Sequence, residues 1–124
     1  MKKFLTVVGF FLTVSVFAQS ANDVANSLST GDVTKFTGYL NNSVSVTLPQ
    51  KAEVKGLSKS DASALIQDFF SKNNITGFER FSDSRELNGM TYIAGKLKGS
   101  KEYNITVVLK SSGANMAVIT VRIF

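Results

Sequence analysis

"LSKSDASALIQDFFSKNN", residues 57–74, decides the architecture of this chain. Ala62, Leu65, Ile66, Phe69 and Phe70 recur at i, i+3, i+4, i+7 and i+8, so all five lie on one stripe of a helix. Ser58 followed by Asp61 matches a capping box, with the shorter Asp in place of Glu or Gln. Lys72 and the pair Asn73-Asn74 mark the far end. Burying the four large side chains contributes roughly 1.5–3 kcal/mol each, which makes this the expected main helix. Leu65 and Phe69 form one row, a turn apart; Ile66 and Phe70 form a second. If a pocket lies beside this helix, one row lines it and the other seals the core.

Beyond the helix the apolar period changes from 3.6 to 2. Residues 76–87 alternate imperfectly, as a bulged strand would. Asn88-Gly89 is a two-residue hairpin signal. "MTYIAGKLK" follows, then a turn at Gly99-Ser100. "EYNITVVLK" sets Tyr103, Ile105, Val107 and Leu109 on one face. After a turn at 111–113, "NMAVITVRIF" sets Ala117, Ile119, Val121 and Ile123 on one face. The opposite face carries Met116, Val118 and Phe124 with Thr120 and Arg122, and Val108 on the neighbouring strand. That apolar residue on a nominally outer face marks a candidate homodimer interface.

Upstream, Asn22–Leu28 reads as a short helix stopped by Gly31, which suits a left-handed C-terminal position. Asp32 is placed to cap a second short helix carrying Val33, Phe36, Thr37 and Leu40. "VSVTL", residues 44–48, alternates as a half-buried strand and is closed by Pro49. "QKAEVKG", residues 50–56, reads as a polar loop. Two short helices, a strand, a long helix and a four-strand antiparallel meander give an α+β fold in one domain.

The chain has 124 residues and a formal charge of +5. "MKKFLTVVGFFLTVSVFAQS" has the parts of a secretory signal: Lys2 and Lys3, an apolar run over Phe4–Phe17, and small residues before a cleavage point between Ala18 and Gln19. The apolar run is shorter than the roughly 20 residues of a spanning helix, so no stable membrane anchor is expected after cleavage. The expected organisation is a signal peptide over 1–18 and a single domain over 19–124, exported to a bacterial periplasm or secreted. Loss of Lys2 and Lys3 lowers the formal charge from +5 to +3. The remaining cations form no run, which gives no support to nucleic-acid binding.

There is no cysteine and no histidine. The fold must hold by packing rather than by disulfides. Metal sites built on imidazole or thiolate are excluded, and so are Ser-His and Cys-His nucleophiles. No cofactor is expected. Only carboxylates, Lys, Tyr and Arg remain for acid–base work.

Four stretches, taken in order, carry a family resemblance: "LSTGDVTKFTGYLNNSVSVTLP" (28–49), "LSKSDASALIQDFF" (57–70), "YIAGKL" (92–97) and "VITVRI" (118–123), behind the signal peptide. Together they resemble a family of small exported Bacteroidota proteins with a nuclear-transport-factor-2-like, or cystatin-like cone, fold. The resemblance implies N-terminal helices packed on a curved, mainly antiparallel sheet that can leave a pocket at the wide end. It implies no catalytic residues, because the family has no assigned activity.

Enzymes of the wider superfamily that act on ring ketones pair a carboxylate base with tyrosine or acid oxyanion donors. Here Tyr39, Tyr92 and Tyr103 supply the type. The acids Glu53, Asp61, Asp68, Glu79, Asp83 and Glu86 all lie outside the apolar patterns, where nothing would raise their pKa. The expected function is therefore a non-catalytic binding domain that holds a small, partly apolar ligand or a protein partner. Phe69, Phe70, Tyr92 and Tyr103 are its candidate ligand-binding residues. A carboxylate/tyrosine-dependent enzyme such as an isomerase is the alternative.

Overall fold

The computed structural model describes residues 16–81, 85–112 and 115–124. The expected signal segment thus falls mostly outside the described residues. Among the described residues, three helices and seven strands follow in the order α1 (Val16–Ser29), α2 (Val33–Thr37), β1 (Leu40–Thr47), β2 (Val54–Ser58), α3 (Lys59–Lys72), β3 (Gly77–Arg80), β4 (Arg85–Leu87), β5 (Met90–Lys98), β6 (Glu102–Ser112) and β7 (Asn115–Ile123). The strands form one sheet in the order β2-β1-β7-β6-β5-β3, with β4 also paired to β5. The fold is α+β, with a curved sheet. Every strand pairing is antiparallel except β1 with β7.

Local chemistry fixes the helix ends. Ser58 caps α3, its hydroxyl accepting from the Asp61 amide at 3.1 Å. At the other end Ile75 N donates to Phe70 O and Asn74 N to Ser71 O, with Asn74 at φ 51°. This is the Schellman arrangement, completed by burial of Ile75. Helix α1 ends the same way: Asp32 N donates to Ser27 O and Gly31 N to Leu28 O, with Gly31 at φ 71°. Asp32 then caps α2 through the Lys35 amide.

The core lies between the helices and one face of the sheet. Phe36 of α2, Ile66 of α3, Ile93 and Leu97 of β5, Ile105, Val107 and Leu109 of β6, and Val121 and Ile123 of β7 are all fully buried there. Helix α1 packs on β3, β5 and β7, and α3 on β1 and β2. Gly95 makes room for an aromatic cover. A Cβ at that position would run into the Phe78 ring and the Glu79 carbonyl oxygen, so only glycine lets Phe78 lie across β5.

Five sequence expectations are corrected. Helix α1 begins at Val16 rather than Asn22. Helix α2 stops at Thr37, and Leu40 opens β1 instead of closing the helix. Part of the expected polar loop forms the edge strand β2, which is exposed over nearly its whole length. The expected strand over 76–87 is divided into β3 and β4, both paired to β5; residues 82–84 lie outside the described set. In β7 the facing pattern changes partway. Val108 pairs with Thr120, but Leu109 pairs with Val118, leaving Ile119 as an extra residue. Such a bulge reverses which side chains face inward. Val118 is therefore buried and Met116 packs on the core, in place of Ala117 and Ile119.

Candidate functional site

The two helix rows are buried to different extents. Ile66 and Phe70 are buried in the core, at 0% and 3% exposure. Leu65 is only half-buried. Phe69 is also a core residue, at 9% exposure, and it borders an open cleft of about 360 Å³.

Three segments build this cleft. The first is the turn after β1, with Leu48, Pro49, Gln50 and Lys51. Lys51 N donates to Leu48 O at 3.1 Å, which closes a β-turn. Pro49 supplies the fixed φ of its second position, and Gln50 takes the left-handed third position at φ 63°. A non-glycine residue there is uncommon. The second segment is the last turn of α3, with Asp68, Phe69, Lys72 and Asn73. The third is the end of the β5–β6 turn and the start of β6, with Lys101 and Tyr103.

The β5–β6 turn is seated on the end of α3. Ser100 N donates to Asn73 O at 2.9 Å, Thr76 N to Lys98 O at 2.9 Å, and Asn74 Nδ2 to Ser100 Oγ at 2.8 Å. This seating brings Tyr103 to Phe69. Their rings meet edge to face, with centroids 5.1 Å apart and planes at 69°. The Tyr103 hydroxyl donates to Asn73 Oδ1 at 3.0 Å, and Asn73 Nδ2 donates to Phe69 O at 2.9 Å. The floor is thus aromatic, with its central polar groups paired among themselves.

The rim is charged. Asp68 and Lys72 form an exposed ion pair at 3.0 Å. Lys51 and Lys101 make no ion pair among the described residues. A smaller apolar hollow of about 90 Å³ adjoins the cleft and shares Leu48 and Lys51 with it; Val46, Ala52, Val54 and Leu65 complete its lining.

Of the four ligand-binding candidates, the structure brings Phe69 and Tyr103 together at the cleft. Phe70 is a core residue and Tyr92 lies elsewhere. Tyr92 pairs with Val108 on the sheet face turned away from the helices, its hydroxyl 4.0 Å from Met90 Sδ. Arg122, on that same face, makes no ion pair among the described residues. Sequence reasoning missed Asn73, Gln50 and the three lysines, because each gains its place only when separate segments meet. The Pro49-Gln50 turn was the one local signal.

Among the described residues no acid is buried. Asp23 is half-buried, and Asp32, Glu53, Asp61, Asp68, Glu79, Glu86 and Glu102 are exposed; Asp83 lies outside the described set. No cluster of described acids can hold a metal ion, and no described helix is long and apolar enough to cross a membrane.

Comparison with known proteins follows the same lines. A family model described as a domain of unknown function (DUF4783) matches residues 21–123. A crystal structure of a DUF4783 family protein from Bacteroides ovatus is similar, with a TM-score of 0.71, 20% identity, and coverage of 82% of this chain and 90% of that one. One from Bacteroides uniformis gives 0.73 at 16% identity, over 82% and 93%. An NTF2-like protein of unknown function from Cytophaga hutchinsonii gives 0.59 at 8% identity, over 88% and 89%. These likenesses speak to the fold alone. No curated protein matches the chain. The chain belongs to the DUF4783 family and has the nuclear-transport-factor-2-like, cystatin-type fold.

Proposed function

We propose that this protein is an exported, non-catalytic binding domain, and that the cleft between α3, the β1–β2 turn and β6 holds a small, partly apolar ligand. The observation that carries this reading is the Phe69–Tyr103 pair forming the floor of an open cleft of about 360 Å³. That size falls within the range of small-molecule sites. A protein partner that inserts one apolar side chain would use the same floor. The test is native mass spectrometry and thermal shift against cell-envelope extracts, on the protein and on Phe69→Ala. A species retained by the first and lost from the second supports the reading. No retained species with either protein counts against it.

Export is part of the same proposal. It rests on the signal-like residues 1–18. Intact mass of the protein from the periplasm or medium should correspond to a chain beginning at Gln19. A mass that retains Met1 and Lys2 would refute it. We also propose self-association through the sheet face that carries Tyr92, Val108 and Phe124; light scattering that gives a monomer mass at all concentrations would exclude it.

One observation favours the enzymatic alternative: Asp68 and Tyr103 line the same cleft. A carboxylate base acting on a ketone would exchange the substrate's α-hydrogens with solvent. Against it, Asp68 is exposed and paired with Lys72, and the Tyr103 proton is committed to Asn73. Exchange of ring-ketone α-hydrogens in heavy water, abolished by Asp68→Asn, would establish the enzyme; no exchange above background leaves the binding reading.

A further inference from the structure

We infer that the cleft selects amphipathic anions: small molecules with one negative head group on a flat or chain-like apolar body. The inference rests on the reading of the cleft as a binding site, and it adds the charge of the ligand.

The floor offers apolar surface but little polar recognition. The hydroxyl hydrogen of Tyr103 goes to Asn73 Oδ1, and Asn73 Nδ2 donates to the Phe69 carbonyl. A ligand that lies on the rings of Phe69 and Tyr103 must find its polar partner at the rim. The rim supplies three lysines, Lys51, Lys72 and Lys101, and the neutral amide of Gln50, against one carboxylate, Asp68. Asp68 is already engaged by Lys72 at 3.0 Å.

The other two lysines are left available by the way their neighbouring acids are used. Glu102, next to Lys101 in the chain, is held by Lys98 at 2.6 Å and by Lys96 at 3.6 Å. Glu53, two residues beyond Lys51, lies 4.0 Å from Lys55. Lys51 and Lys101 therefore face the cleft with no carboxylate partner among the described residues. They stand on two separate turns that border the same floor. A cation would be repelled there, a neutral body would gain the floor and the Gln50 side chain, and an anion with an apolar body would gain the two ammonium charges as well.

A matched probe set tests this by calorimetry on the purified protein at low salt: naphthalene-2-carboxylate, the neutral 2-naphthalenemethanol, acetate and inorganic phosphate. The expected result is that the naphthoate binds about tenfold more tightly than the alcohol, as two exposed ion pairs would give. The advantage should shrink in about 1 M salt. Acetate and phosphate should show no binding at the same concentrations. The double variant Lys51→Gln/Lys101→Gln should lose the advantage while binding the alcohol as before, a result that damage to the fold would not give. Equal binding of acid and alcohol overturns the inference and leaves the cleft as a binding site. Acetate or phosphate binding as well as the naphthoate overturns it too, since the floor would then be idle. Binding of none of the probes overturns the inference; loss of the envelope-extract species as well would remove the binding reading itself.

Discussion

Phe69 and Tyr103 stand 34 positions apart in the sequence, yet their rings meet at 5.1 Å in an edge-to-face contact. Such a pair contributes about 0.5–1.5 kcal/mol beyond the area it buries. It also leaves ring surface facing the cleft, so one contact serves both stability and the candidate site. The neighbouring Phe70 belongs wholly to the core.

This difference between adjacent phenylalanines is measurable. Phe70→Ala should cost about 3–5 kcal/mol, because it opens a sealed cavity. Phe69→Ala should cost less, toward the lower end of that range, because its cavity opens onto the cleft. Urea unfolding of the two variants separates the cases. Equal losses would mean that Phe69 is as enclosed as Phe70 and that the cleft has no floor at this helix end.

The link from Tyr103 to Asn73 can be read by a double-mutant cycle. Tyr103→Phe and Asn73→Ala should each destabilise by about 0.5–1.5 kcal/mol, the net worth of a hydrogen bond. The double variant should lose less than the sum, since both single changes break the same bond. Strict additivity would show that the hydroxyl has another partner in solution.

Two glycines in left-handed backbone make a controlled comparison. A Cβ on Gly31, at φ 71°, would stand 2.8 Å from the Thr76 carbonyl oxygen, where the end of α1 meets the segment leaving α3. A Cβ on Gly56, at φ 67°, would meet nothing within 4 Å. Gly56→Ala should cost only the backbone strain, about 1–2 kcal/mol. Gly31→Ala should cost more, by the displacement of a backbone atom that cannot rotate away. Thermal unfolding of both variants decides it, and equal shifts would show that the two helix ends are not held in contact.

Glu102 and Lys98 predict a salt-sensitive pH dependence. The hydrogen bond from Lys98 holds the Glu102 carboxyl below its ordinary pKa, with the Lys98 and Lys96 charges adding to it. The same hydrogen bond raises Lys98. A depressed carboxyl pKa contributes stability that is present above its unfolded value and lost as pH falls through the folded one. A raised lysine pKa contributes stability that is present below its unfolded value and lost as pH rises through the folded one. The pair should therefore support the fold between roughly pH 4 and pH 10. Both groups are exposed, so the contribution is small and screened. Glu102→Gln should flatten the acid limb of a stability–pH curve in low salt and leave it unchanged in about 1 M salt.

Much of this was legible one segment at a time. The stripe on α3, its cap at Ser58, its Asn73-Asn74 ending, the stop at Gly31 and the Asn88-Gly89 turn, with both residues at positive φ, are written in neighbours a few positions apart. Those contacts form whatever the rest of the chain does. The α+β class followed from the change of period after Lys72. By contrast, the bulge at Ile119 depends on a strand partner. Ala117, Ile119, Val121 and Ile123 alternate without fault, and only pairing to β6 on one side and β1 on the other shows that Val118 turns inward. The parallel β1–β7 pairing joins residues more than seventy positions apart and leaves no mark at that spacing in either strand. The cleft is of the same kind. Composition excluded imidazole and thiolate chemistry, and helical spacing allowed two rows on α3. Tertiary contact alone assigned Phe69 to an open floor with Tyr103, set Lys51 and Lys101 around it, and moved Tyr92 to the other face of the sheet. Periodicity records which side of an element is apolar; what that side meets is settled only when distant segments pack.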